Sequence, residues 1–100
     1  MFYIYILYSE VSHIYYIGYT DNYQRRFEEH NHSERNTFTH KHRPWILKVV
    51  FECGGDESKA MEIERFIKAQ KSKRFVENLI TRDLFTGILS PLVRVPKFRD

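Results

Sequence analysis

Tyr15-Tyr16-Ile17-Gly18-Tyr19-Thr20-Asp21-Asn22-Tyr23-Gln24-Arg25-Arg26-Phe27-Glu28-Glu29-His30 reads as a half-buried strand, a tight exit at Gly18, and then a helix. A glycine in that place lets another backbone or a phosphate come close. Asp21, with Gln24 three residues on, has the pattern of a capping box at the helix start. A helix beginning there aims free N–H groups and a positive dipole end at whatever lies beside the strand. Arg26 and His30 are four apart and share one helix face. Tyrosines, an arginine and a histidine converging beside a helix N-terminus point to a phosphate site.

Outward from this stretch the chain alternates short strands and helices. Phe2 to Tyr8 is a run of aromatic and β-branched residues, hence a strand, with Tyr3, Tyr5 and Leu7 on one face. Ser9 to His13 makes a turn, and Ile14 to Tyr19 returns as its hairpin partner, bringing Tyr16 beside Tyr5. The first helix is expected from Asn22 to Asn31, with Tyr23 and Phe27 as its buried stripe. His32 to Pro44 is polar, histidine-rich and aperiodic, so it reads as a loop. Trp45 to Cys53 alternates Trp45, Leu47, Val49 and Phe51 inward, a third strand with one wetter face. Gly54-Gly55 breaks it, and Asp56 is positioned to cap a helix running to Lys71, with Ala60, Ile63 and Ile67 as its apolar stripe. A short helix from Arg74 to Ile80 follows. The sum is an α+β fold: a small three-stranded antiparallel sheet flanked by helices over residues 1–80, and an irregular tail over 81–100 that packs on the domain or a partner.

At 100 residues the chain has room for one modest core. Its 42% hydrophobic content places it among folded globular chains rather than disordered ones. The net charge of +3 permits nucleic-acid binding without demanding it, because clustering matters more than the total. A single cysteine, Cys53, rules out an internal disulfide framework and fits a reducing compartment. The apolar opening from Phe2 to Tyr8 is too short to span a bilayer, so the reading is cytoplasmic with no membrane partner.

Tyr3-Ile4-Tyr5 and Tyr16-Ile17-Gly18, followed by Asn22-Tyr23-Gln24-Arg25-Arg26 and by Ala60 with Glu64 four residues on, resemble the GIY-YIG nuclease family. The similarity runs from Met1 to Ile80 and is nearest to small stand-alone bacterial members and to the N-terminal nuclease domain of the excision-repair endonuclease subunit. It implies DNA endonuclease activity of a DNA-repair kind. By position, Tyr5 and Tyr16 are the tyrosines, Arg26 the phosphate brace, Glu64 the ligand of one divalent metal (Mg²⁺ or Mn²⁺), and His30 a supporting residue. Such chemistry is self-consistent, since Mg²⁺ takes oxygen ligands and often only one or two carboxylates. A tyrosine base is the costly part: losing a proton of pKa about 10 near pH 7 takes roughly 4 kcal/mol. Positive charge from Arg26 and the metal is expected to reduce it. The chain departs from the family at Tyr3, which replaces the first glycine, at Tyr19, where some repair members carry a lysine, and around Asn78, whose surroundings do not match the family's late asparagine.

Duller readings stand beside these. Tyr5 and Tyr16 also suit an ordinary sheet, Arg26 suits a surface pair with Glu29, and Glu64 with Lys68 suits an i,i+4 pair. His30, His32, His40 and His42 flank the loop, but their spacing matches no zinc pattern, and His40 is noted as an auxiliary proton shuttle. Arg25, Lys41, Arg43, Lys68 and Lys71 are candidate DNA-backbone contacts, with Arg35 beside them. No base-reading element is visible, so sequence specificity is expected to be low or borrowed from a partner, and the DNA acted on is expected to be branched or damaged. A homodimer through the tail and a catalytically weak or inactive nucleic-acid-binding module are the open alternatives.

Overall fold

The computed structural model describes residues 1–34, 38–82 and 84–96. Strand β1 (Tyr3–Ser9) and β2 (Ile14–Thr20) form the hairpin, followed by helix α1 (Tyr23–His32) and a short α2 (Phe38–Lys41). Strand β3 (Trp45–Glu52), helices α3 (Glu57–Ala69) and α4 (Lys73–Thr81), a 3₁₀ turn (Gly87–Leu89) and β4 (Val93–Arg94) complete the chain. The sheet is antiparallel in the order β2-β1-β3-β4.

β1 lies at the centre and is buried from Ile4 to Leu7, which is why its sequence is apolar on both faces. One face, with Ile4, Ile6, Ile17 and Phe51, packs on Ala60, Ile63 and Ile67 of α3 and on Val76 and Leu79 of α4. The opposite face, with Tyr5, Leu7, Trp45 and Val50, is covered by Tyr23 and Phe27 of α1. Each such fully buried aliphatic or aromatic side chain stabilises the fold by about 1.5–3 kcal/mol relative to exposure.

Four expectations from sequence are corrected. β3 does not keep one alternation throughout: pairing passes from Ile6↔Val49 to Leu7↔Leu47, leaving Lys48 as a bulge residue. The side-chain period therefore flips, so Trp45, Leu47 and Val50 face α1 while Val49 and Phe51 face α3. The helix cap is Asn22 rather than Asp21: its side chain accepts from the Arg25 N–H at 3.0 Å, while Asp21 pairs with the Arg25 guanidinium at 3.1 Å. Thr20 sets this frame, its hydroxyl accepting from the Asn22 N–H at 3.1 Å. The loop before β3 contains α2, anchored by Trp45 Nε1–H donating to the Thr39 carbonyl at 2.8 Å. Arg35, in residues 35–37, lies outside the described residues.

The fourth correction is in the tail, which supplies a fourth strand rather than only irregular chain. β4 pairs with Phe51 and Glu52, and the Val95 N–H extends the ladder by donating to the Val50 carbonyl at 2.8 Å. Leu89 and Leu92 are buried in the α3-side core, and Phe85 sits edge-on to Phe51 at 5.2 Å between centroids. A two-residue strand carries too little periodicity to be seen in sequence.

Candidate active site

The hairpin register places Tyr5 opposite Gly18 and Leu7 opposite Tyr16, so the two phenol rings are diagonal neighbours with centroids 6.3 Å apart. The close neighbour that Gly18 admits is the Tyr5 ring, not a phosphate. A Cβ at Gly18 would come within 2.4 Å of the Tyr5 hydroxyl. Gly18→Ala is therefore expected to force the buried ring aside and to destabilise the protein by about 1–3 kcal/mol. Urea denaturation measures the loss, and a shifted His30 ring resonance would report the displaced phenol.

α1 brings the next two groups. Its buried face sets His30, 3% exposed, against the sheet, where Nε2 is 2.9 Å from the Tyr5 hydroxyl. The His30 ring also lies 4.8 Å from the Tyr16 ring, edge to face. Arg26, one turn earlier on the same face, reaches the Tyr5 hydroxyl and pairs with Glu29 at 2.7 Å. Tyr16, Arg26, Glu29, His30, Phe38 and Thr39 line one cavity of about 330 Å³. Tyr5 forms part of the packed wall behind it, being 1% exposed.

Burial, and then the neighbouring Tyr16, push the Tyr5 phenol well above its ordinary range, while the Arg26 guanidinium opposes them and loses. The expected help from Arg26 is present but outweighed at this residue. Burial also pushes His30 down to about 4, with Arg26 acting in the same direction. His30 is thus neutral near pH 7, and its Nε2 accepts the Tyr5 proton in a hydrogen bond. The sign for stability follows: a depressed pKa means the unfolded chain binds the proton first, so stability is full above about pH 6.5 and falls as pH drops toward 4. Between pH 7 and 4.5 this residue is expected to account for about 2–3 kcal/mol of lost stability. Denaturant unfolding at both pH values should show a smaller loss in His30→Gln; an identical loss would contradict the assignment.

α3 contributes Glu64 from the border of its buried stripe, with the side chain 21% exposed. Lys68 links it to the tyrosines: its Nζ is 3.7 Å from the Glu64 carboxylate and 5.4 Å from the Tyr16 ring centroid. The carboxylate's field also reaches the Tyr5 phenol, which it pushes upward. A half-open carboxylate that already attracts a cation offers one hard oxygen donor, which fits a largely hydrated Mg²⁺ or Mn²⁺. Among the described residues no three His, Cys, Asp or Glu side chains converge as a metal cage. His32 pairs with Glu28 at 3.6 Å, His42 Nδ1 meets the Ser12 hydroxyl at 2.7 Å, and His40 is exposed on α2.

The basic candidates divide. Lys68 and Lys71 line a hollow that shares Tyr16 with the first. Arg25 is exposed and engaged with Asp21 at 3.1 Å and Glu29 at 4.0 Å. Lys41 is exposed on α2. Arg43 is turned inward, its guanidinium donating to the carbonyls of His30 at 2.6 Å, Glu29 at 3.3 Å and Ser33, so it caps the C-terminal end of α1. Sequence reasoning missed Phe38, whose ring stacks on Tyr16 at 6.4 Å, and Thr39, both in a segment with no periodic signal.

A family model described as the GIY-YIG catalytic domain matches residues 1–78. None of the curated proteins matches the chain.

Proposed function

The chain belongs to the GIY-YIG family of nuclease-type catalytic domains, and from that premise we propose that it is a divalent-metal-dependent DNA endonuclease hydrolysing phosphodiester bonds. The observation that carries this reading is the shared cavity: Tyr16, Arg26 and His30 line it together, with Glu64 tied to Tyr16 through Lys68.

Tyr16 is the better base of the two tyrosines. Tyr5 is sealed behind the wall, hydrogen-bonded to His30 and held protonated by burial. Tyr16 is partly exposed and opens onto the cavity. As water attacks phosphorus, one of its protons passes to the Tyr16 phenolic oxygen as that oxygen gives its own proton to solvent; the new P–O bond forms as the bond to the leaving oxygen breaks, and that oxygen takes a proton from solvent. Arg26 presents a planar fork of donors to the phosphate, giving up its exposed pair with Glu29, which is worth no more than about 1 kcal/mol. Glu64 would hold the metal, which when bound neutralises charge developing on phosphate oxygens. Lys68 yields the carboxylate and remains as positive charge beside Tyr16. His30 fixes the Tyr5 ring and so positions the wall on which Tyr16 rests.

The test is Mg²⁺-supported cleavage of a labelled branched DNA by two phenylalanine variants. Tyr16→Phe is expected to slow cleavage by about 10²- to 10⁴-fold with DNA affinity retained. Tyr5→Phe is expected to act mainly on stability, through the lost partner of His30. The reverse ranking of the two rates would move the base to Tyr5. A second reading, a DNA-binding module without turnover, draws on the internal pairing of both key charges, Arg26 with Glu29 and Glu64 with Lys68. It requires salt-sensitive DNA binding that survives Glu64→Ala and no cleavage with any divalent metal.

A further inference from the structure

The acids of α3 have separate partners. Glu57, exposed, accepts from the Tyr19 hydroxyl at 3.1 Å, and Glu62, also exposed, pairs with Lys59 at 3.5 Å. Glu64 is half-buried, and Lys68 of the same helix stands against it with Nζ 3.7 Å from the carboxylate. Lys68 also faces outward. Its side chain is 46% exposed, its Nζ lies 5.4 Å from the centroid of the Tyr16 ring, and it lines a hollow of about 400 Å³ that adjoins the cavity through Tyr16. The ammonium therefore has an anion behind it and open, water-filled space in front.

The carboxylate that Lys68 holds is the oxygen donor for a divalent cation. Ammonium and metal thus seek the same group, and each repels the other. Mg²⁺ gives up its water reluctantly, so a lone carboxylate attracts it weakly and a lysine already in place is a real competitor. A DNA phosphate changes the balance by offering Lys68 a second anion. The lysine head is a compact charge on a flexible stem with three rotatable donors, so it can turn from carboxylate to phosphate without any movement of α3. Charge is matched in two states only: lysine on carboxylate with no DNA, or lysine on phosphate with a metal on the carboxylate. The mixed state, metal present and DNA absent, sets two cations face to face.

Resting on the reading of Glu64 as the metal's ligand at a site of phosphodiester hydrolysis, we propose that Lys68 is a switch coupling metal binding to DNA binding. Paired with Glu64 it keeps the carboxylate engaged in the free protein; drawn to a phosphate it releases the carboxylate to the metal. The metal then enters the site after DNA rather than before it. Linkage makes the effect reciprocal, so a bound metal strengthens DNA binding by the same factor.

The experiment measures Mn²⁺ binding to the full chain by electron paramagnetic resonance, so that turnover plays no part. Without DNA, Lys68→Gln is expected to bind Mn²⁺ about 5- to 10-fold more tightly than wild type, and adding Glu64→Gln should abolish the gain. Lys68→Arg keeps the charge and should bind as wild type does. Lys71→Gly removes a charge from the same hollow at a residue whose φ of +48° suits glycine, and should stay within about twofold of wild type. Circular dichroism checks that each variant folds. A short duplex added to the Tyr16→Phe chain, in which cleavage is slowed, should tighten Mn²⁺ binding; Lys68→Gln in that chain should cut this gain about fivefold. Failure of Lys68→Gln to bind Mn²⁺ more tightly overturns the proposal. So does an equal gain in Lys71→Gly, which would make the effect one of net charge, or a DNA-induced gain that Lys68→Gln leaves intact. If Lys68→Gln gains Mn²⁺ affinity through Glu64 but no metal brings cleavage, the switch stands and the hydrolytic reading falls. Cleavage by the wild-type chain with no change of Mn²⁺ affinity in Lys68→Gln has the opposite meaning.

Discussion

Arg26→Ala is expected to lower Mg²⁺-dependent cleavage of DNA by about 10²- to 10³-fold, with most of the loss in kcat. The guanidinium sits at the join of sheet and helix, reaching the Tyr5 hydroxyl on one side and the cavity on the other. Under the proposed hydrolysis, charge that builds on the phosphate during attack is what it would meet there, so the interaction would strengthen toward the transition state rather than on binding. A structural explanation predicts something different. The pair with Glu29 is exposed, 37% and 45% by side chain, and contributes no more than about 1 kcal/mol to stability. The variant should therefore unfold within about 1 kcal/mol of wild type while having lost its activity. Arg26→Lys should recover little, because an ammonium cannot present two parallel donors to a phosphate. Steady-state kinetics beside urea denaturation would settle which applies.

Glu64→Gln is expected to have the second large effect, a loss of about 10²-fold or more that no concentration of Mg²⁺ restores. Glutamine keeps the shape of the side chain on α3 and removes only the charge. The affected ion pair, with Lys68, is a single partly exposed one, so folding should survive. Removing the carboxylate leaves Lys68 close to Tyr16 without its anion, so DNA affinity should hold or rise slightly. Weaker binding in Glu64→Gln would mean that the carboxylate acts on the fold and not on a metal.

The hairpin and its two tyrosines were legible because strand periodicity and a family likeness agreed over the same residues. Residues four apart on α1 and α3 gave Arg26 with His30 and Glu64 with Lys68, since helical spacing fixes those pairs locally. What sequence did not reveal depended on long-range geometry. The bulge at Lys48 reverses the side-chain period of β3, and nothing local to Trp45–Glu52 announces it. Arg43 looked like a free cation beside a basic loop, but its donors close the end of α1. Gly18 looked like space for a phosphate, but that space holds the Tyr5 ring. The burial that pushes the Tyr5 phenol up and His30 down comes from elements far apart in the chain, and composition has no access to it. β4 reaches the sheet through two residues, too few to carry a pattern.

The most direct measurement is nicking of supercoiled plasmid and cutting of a labelled flap by the purified chain, in Mg²⁺ and in EDTA, with Arg26→Ala and Glu64→Gln run alongside. Metal-dependent cleavage by the wild-type chain that both folded variants lack is the expected result. Absence of cleavage by the wild-type chain at micromolar concentration with either Mg²⁺ or Mn²⁺, or cleavage that persists undiminished in both variants, would contradict it.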